Sequence, residues 1–231
     1  MVRLYAINVQ ESMRENNFKE LLLYITNEKA NRILKFRYIA DAYRTMLGEL
    51  LIRYAVYQKS GCDNDEIIIS NKGKPYLIYP KGIFFNISHS GNWVVGATAD
   101  APLGIDIEYI KSERNYKEII YRFYTSSERQ YIMSAESEHV QRERFYQIWT
   151  LKESYIKADG RGLNIPLNSF DVVSKQDNQY LVENSLQNKY KKFSVKWKDS
   201  YFVSVHSLDN EICKKIQTLS VKKIKEDFKF H

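Results

Sequence analysis

No other stretch limits the possible folds of this chain as tightly as the one holding Trp149, Glu153 and Lys157, which recur at every fourth position. On a helix of 3.6 residues per turn they share one face. An aromatic ring, a carboxylate and an ammonium therefore follow one another a turn apart. The two charges admit two readings. A Glu–Lys pair at this spacing on a solvated helix contributes roughly 0.3 kcal/mol, and such pairs are common on helix surfaces. Alternatively, both charges face a ligand. The pattern predicts a helix over 142–157, stopped by Gly160, Arg161 and Gly162.

The rest of the chain alternates helical and extended patterns. Residues 1–9 read as a first strand and lack the regions of a signal peptide. Helical patterns follow at 16–24 and 28–36, with a break at Thr26 and Asn27. A long helix is predicted over 41–57, with Asp41 or a neighbour as N-cap and Leu47, Leu50, Leu51 and Tyr54 as its core stripe. Arg44 and Thr45 fall in its early turns, where backbone amides favour anions. Strands are expected at 67–69, 83–87 and 93–99, with a turn at 71–75 and a hairpin connection at 88–92. Ser88 beside His89 makes no nucleophile–base pair, because neighbours on a strand or tight turn point apart.

Next comes a strand in which Asp106 and Glu108 alternate onto one face and Ile105, Ile107 and Tyr109 onto the other. Two carboxylates side by side repel. Either a cation compensates them, for which hard oxygen ligands suit magnesium, or the face is exposed and the acids are unrelated. Residues 111–117 read as a loop, and Thr125 with Glu128 as a capping box. Strands are expected near 170–173, 193–197 and 201–205, and the lysine-rich tail 221–231 as a loosely docked end. A long helix followed by strands occurs twice, over 41–99 and 142–205, which suggests two similar lobes.

Charge and cysteine usage narrow the function classes. The formal net charge of +7 favours an anionic partner: nucleic acid, an acidic protein or a phosphorylated small molecule. No apolar run approaches the ~20 residues that span a membrane. Cys62 and Cys213 form neither a metal-ligand nor a disulfide spacing, so a reducing, cytoplasmic setting is expected.

Three motifs occur in order: Asn86-Ile87-Ser88-His89-Ser90, then Gly104-Ile105-Asp106-Ile107-Glu108, then Trp149 with Lys152, Glu153 and Lys157. Together they resemble the Sfp-type 4'-phosphopantetheinyl transferases, a similarity that runs through nearly the whole chain and weakens after about residue 206. The resemblance implies an α+β fold of two pseudo-twofold-related lobes, divided here as 1–103 and 104–231, with the active site in the cleft between them. It implies transfer of the phosphopantetheine arm of coenzyme A to a serine of an apo carrier protein, with release of adenosine 3',5'-bisphosphate. Magnesium, or manganese in its place, would be held by Asp106, Glu108 and Glu153. Glu153 stands at the position of the general base and Lys157 at that of a phosphate partner, whereas Lys152 is assigned no more than charge support.

By the same carry-over, Lys29, Arg32 and Arg44 meet the 3'-phosphate end of coenzyme A. Thr45, Gly73, Lys74, Ser88 and His89 lie around its adenosine and pyrophosphate, with Asp106, Glu153 and Lys157 completing the contact set. Residues 110–130, with Tyr116, Tyr121, Phe123 and Tyr124, match a carrier-docking region, although core packing explains those aromatics nearly as well. Trp149 is expected to anchor its helix and stay outside the site. The partners implied are acidic carrier domains of nonribosomal peptide or polyketide synthases, with fatty-acid carriers as the alternative, and the two-lobe pattern implies a monomer. A coenzyme A binder without turnover is a further alternative. A nucleic-acid reading rests on net charge alone.

Overall fold

The computed structural model describes residues 1–15, 17–70, 73–112, 116–176, 179–181 and 189–228. The almost unbroken apolar run after Met1 forms β1 (Val2–Asn8), which is buried because helices cover one face and a second sheet covers the other. Three short helices follow: α1 (Val9–Glu15), α2 (Phe18–Leu21) and α3 (Asn27–Ile33). Thr26 caps α3 by accepting the Lys29 N–H. The long helix α4 (Ile39–Ser60) begins two residues before the expected start. Its N-cap is Tyr38, which provides no side-chain cap, while Asp41 lies inside the first turn and binds Arg44 at 2.7 Å.

The first half continues with β2 (Ile68–Ser70), β3 (Tyr76–Tyr79), β4 (Phe84–Ser90) and β5 (Trp93–Ala99). The second contains β6 (Leu103–Tyr109), α5 (Tyr116–Phe123), α6 (Ser126–Met133), α7 (Glu138–Asp159), β7 (Ser174–Gln176), β8 (Gln179–Leu181), β9 (Lys191–Trp197) and β10 (Tyr201–Ser207). The chain then adds β11 (Ile212–Leu219) and α8 (Val221–Phe228).

Two sheets carry the architecture, ordered β11-β1-β5-β4 and β6-β10-β9. Helix α4 lies on the first and α7 on the second, so a 22-residue helix over a sheet occurs twice, as the α+β expectation required. The faces away from the helices meet each other. Leu4, Val95 and Ala97 of the first sheet bury against Ile105, Ile107 and Val203 of the second. This apposition brings β4, an edge of the first sheet, alongside β6, an edge of the second.

Several expectations give way to tertiary context. Residues 212–228, counted with the second lobe by the division at 103/104, return to the first: β11 pairs in parallel with β1, and Val221, Ile224 and Phe228 enter the core beneath α4. The tail is therefore docked rather than loose through Phe228, with 229–231 outside the described residues, and Asp227 accepts a hydrogen bond from Tyr54 at 2.8 Å. Strand β11 escaped notice because its exposed positions carry Lys214 and Lys215, as suits a sheet edge. The strand expected at 170–173 does not form. Phe170, Val172 and Val173 are core residues on an irregular segment, and the carbonyls of Leu167 and Phe170 turn inward to the Lys152 ammonium. Helix α5 begins at Tyr116, inside the stretch read as a loop.

Lys152 is wholly buried. Its ammonium also meets Glu128 Oε1 at 2.8 Å, and the Phe170 ring lies 4.2 Å away. Glu128 accepts from the Val172 N–H as well, and its capping box with Thr125 is formed. Burial pushes the Glu128 carboxyl up and the Lys152 ammonium down, and each offsets the other. The role of charge support at the site is thus corrected: Lys152 points away from Glu153 and fastens α6 and the 167–172 segment to α7. Lys152→Met leaves a buried carboxylate uncompensated and is expected to destabilise the fold by about 3–5 kcal/mol. The double change with Glu128→Gln should restore most of that, read as the urea midpoint of each variant.

Candidate active site

Strand β4 supplies the first wall of the site. It runs two residues beyond the expected end, so Ser88 and His89 lie on the strand and Gly91 and Asn92 make the turn. Side chains of a strand alternate, which places Asn86, Ser88 and Ser90 on one face, toward β6. The Ile105 N–H donates to Asn86 Oδ1 at 2.9 Å. Ser88 Oγ donates to Asp106 Oδ1 at 2.7 Å, and Ser90 Oγ donates to Glu108 Oε2 at 2.8 Å. His89 points the other way, toward α4, and burial with the nearby Arg44 and Lys157 cations holds its imidazole below the ordinary histidine range.

Helix α7 supplies the second wall. Gly104 lets β6 approach it: a Cβ there would lie 2.1 Å from Ser154 O and 2.4 Å from Ala158 N. At that distance Lys157 Nζ reaches Asp106 Oδ1 at 2.7 Å, Ser88 Oγ at 3.1 Å and the Ile105 carbonyl at 3.3 Å. No ion pair joins Glu153 to Lys157, so the solvated-helix reading of that spacing does not hold; Lys157 pairs across to β6 instead. Glu153 is partly buried and pushed up to about 6, first by burial and then by Asp106, with Glu108 adding and Lys157 opposing. Trp149 packs beside Phe123, Tyr124 and Phe145, outside this cluster. Beneath the helix, Thr150 bonds Ser204 at 2.7 Å and Ser154 bonds His206 Nδ1 at 2.9 Å, holding α7 in register over β10.

Lys74 closes the cluster from the first lobe by donating to the Lys157 carbonyl at the last turn of α7. Partial burial and the neighbouring Lys157 ammonium draw Lys74 below the usual lysine range. It lines a mainly apolar cavity with Tyr76, Phe84 and Leu103, walled on the far side by Ala158 and Gly160. Gly73 takes a left-handed φ of +72° in the turn before it. Asn71 and Lys72 lie outside the described residues.

The remaining candidates sit elsewhere. Arg44 spans Asp41 and the Gly91 carbonyl, the latter at 3.1 Å, and thereby ties α4 to the β4–β5 turn. Thr45 is half-buried on the same helix. Lys29 is only 8% exposed and faces Glu49 at 3.5 Å, with Glu49 also held by Arg53 at 2.9 Å. Arg32 is exposed and lines a shallow cavity with Lys29 and Lys35. The structure thus joins Lys74, Ser88, Asp106 and Lys157 through direct contacts, and it keeps Lys29 in an internal ion pair. Of the four aromatics assigned to carrier docking, Tyr116 and Tyr124 are core, Phe123 is packed on it, and Tyr121 is 68% exposed.

Whether the carboxylates suit a metal can be tested on the geometry. Among the described residues, no three His, Cys, Asp or Glu side chains converge closely enough to hold an ion as they stand. Asp106 Oδ2, however, is buried without a hydrogen-bond partner, and Asp106 and Glu108 both raise Glu153. Three carboxylates share one electrostatic neighbourhood, and one buried oxygen lacks a donor. That donor set fits a hard divalent cation.

An α+β chain that gathers carboxylates and ammoniums between two lobes has the makings of a group-transfer enzyme acting on an anionic substrate, and sequence comparison identifies it. Residues 102–208 match the family described as the 4'-phosphopantetheinyl transferase superfamily, and residues 12–101 match the 4'-phosphopantetheinyl transferase N-terminal family. The 4'-phosphopantetheinyl transferase Sfp of Bacillus subtilis is 34% identical over 79% of this chain and 81% of that protein. The transferase gsp of Aneurinibacillus migulanus is 38% identical over 76% of this chain and 73% of its own. The L-aminoadipate-semialdehyde dehydrogenase-phosphopantetheinyl transferase of Mus musculus is 37% identical over 64% of this chain and 53% of that protein. The chain belongs to the 4'-phosphopantetheinyl transferase superfamily, and it is a transferase of that activity.

The sequence reading does not single out Ser90 and Asn86 as site residues. Assigning 88–92 to a connection hid the period-two spacing of 86, 88 and 90, which the longer strand makes plain.

Proposed function

We propose that this transferase takes phosphopantetheine from coenzyme A and passes it to a serine hydroxyl of an apo carrier domain. The observation that carries the reading is the meeting of Lys74 and Ser88 from one lobe with Asp106 and Lys157 from the other, beside a Glu153 held near 6. The carrier serine attacks the phosphorus that bears pantetheine, the bond to the bridging oxygen breaks, and adenosine 3',5'-bisphosphate leaves. Glu153 accepts the serine proton, and its raised pKa suits it to that task near neutral pH. Lys157, with Lys74 behind it, offers positive charge where the pyrophosphate gathers negative charge. Asp106, Glu108 and Glu153 would hold magnesium, which when bound neutralises pyrophosphate oxygens. Because the nucleophile belongs to the partner, the enzyme needs no nucleophile–base pair of its own.

Arg32, Arg44, Thr45 and His89 would receive the adenosine and 3'-phosphate. Lys29 would join them only by loosening its bond to Glu49. Tyr121, with the Arg129 guanidinium 5.9 Å from its ring, would meet an acidic carrier. We read the enzyme as a cytoplasmic monomer, since both walls of the cluster come from one chain, and its carriers as those of nonribosomal peptide or polyketide synthases.

The test is incubation with coenzyme A, magnesium and apo peptidyl, polyketide and fatty-acid carriers in parallel, followed by mass spectrometry. The expected result is one phosphopantetheine added per carrier, fastest on the peptidyl or polyketide type. No mass shift on any carrier would sink the reading, and a preference for the fatty-acid carrier would reassign the partner.

A further inference from the structure

The pair of edge strands β4 and β6 belongs to two different sheets, so no backbone ladder joins them. Side chains join them instead. Asn86 receives the Ile105 N–H, Ser88 donates to Asp106, and Ser90 both donates to Glu108 Oε2 at 2.8 Å and accepts the Tyr109 N–H at 3.0 Å. The two serines, two residues apart, thus match the two carboxylates, also two residues apart. Ser88 has further work, since the Lys157 ammonium donates to it. Ser90 has no contact with Lys74, Glu153 or Lys157 among its bonds. Its hydroxyl, with the proton on Glu108 and a lone pair on the strand backbone, fixes one carboxylate oxygen.

We propose that Ser90 is a positioning residue that orients Glu108 for a divalent cation, resting on the reading above that these carboxylates hold one. A glutamate side chain has several staggered rotamers open to it, and each hydrogen bond to its carboxylate narrows that choice. The Ser90 donor at 2.8 Å narrows it before a cation binds, and a partner of this kind is typically worth 10–100-fold in metal affinity. Threonine keeps the hydroxyl and suits a strand, so it should preserve the effect; alanine removes it. The Tyr109 N–H loses its partner in the alanine variant, but Tyr109 is exposed and water replaces it.

The experiment measures Mn2+ binding by electron paramagnetic resonance with coenzyme A at saturation, using the full chain. Wild type, Ser90→Ala, Ser90→Thr, Glu108→Gln and the double change Ser90→Ala with Glu108→Gln are compared, each checked by its urea midpoint. The expected result is a 10–100-fold weaker Mn2+ affinity in Ser90→Ala, affinity within about threefold of wild type in Ser90→Thr, and no added effect of Ser90→Ala once Glu108 is Gln. The KM for coenzyme A at excess Mn2+ should be unchanged in Ser90→Ala. If Ser90→Ala binds Mn2+ as wild type does, or weakens it equally in both backgrounds, the proposal is overturned while the transferase reading stands. If wild type binds no Mn2+ even with coenzyme A, the carboxylates are not a metal site and both readings of them fail.

Discussion

Glu153→Gln is expected to lower transfer by about 10²–10⁴-fold and, at the same time, to make the protein more stable at neutral pH. The first effect follows from losing the proton acceptor. The second follows from linkage. Glu153 has its folded-state value raised from 4.5 to about 6 by burial and by Asp106, so the unfolded chain gives up this proton more readily than the folded one. Its contribution to stability is therefore whole below 4.5 and is lost as pH rises through about 6. Above that range the ionised wild type carries a cost of about 1–2 kcal/mol, which glutamine does not pay. Urea midpoints of the two proteins should coincide near pH 4.5 and separate in favour of the variant at pH ~7.5. The wild-type kcat/KM should fall on the acid side as the Glu153 carboxylate takes up its proton. Equal stability at both pH values would mean that Glu153 bears no electrostatic load, and an active variant would remove it from the chemistry.

Gly104→Ala has the largest structural effect. Its methyl group would lie 2.1 Å from Ser154 O, 2.4 Å from Ala158 N and 2.7 Å from Lys157 Cβ. Two of these are backbone atoms inside a helix and cannot swing aside, so β6 and α7 must separate. The loss should exceed about 3 kcal/mol, the upper end of ordinary overpacking. Activity should fall further than stability alone explains, because Asp106 rides on β6 and Lys157 and Glu153 on α7. A control is Gly82→Ala, at a φ of +80° with nothing within 4 Å of its Cβ. That change strains one turn and should cost about 1 kcal/mol. A Gly104→Ala protein with the wild-type urea midpoint would contradict the close approach.

Elements that bury a regular face are legible in the sequence for a physical reason. Periodicity revealed α4, α7 and the alternation of Asp106 and Glu108, whereas β5 shows as an apolar run because a central strand is covered on both faces. Irregular segments carry no such period. The stretch after Leu167 looked like a strand because Phe170, Val172 and Val173 are apolar, but its carbonyls serve Lys152 rather than a neighbouring strand. Lys152 and Glu153 are adjacent in sequence and alike in being charged. Helical geometry sends one into the core and the other to the site, and no local signal shows which face will be covered.

By itself the sequence determined the place and type of the long elements and the chemical groups available to the site, since these depend on local periodicity and residue type, and its motifs carried the resemblance that implied the α+β class. Tertiary structure decided the pairings. Lys157 bonds Asp106 on another strand instead of Glu153 on its own helix, Lys29 turns inward to Glu49, and β11 joins β1 across the length of the chain. Such contacts depend on which surfaces fold against each other, and the close approach at Gly104 brings the charged groups of α7 and β6 within reach.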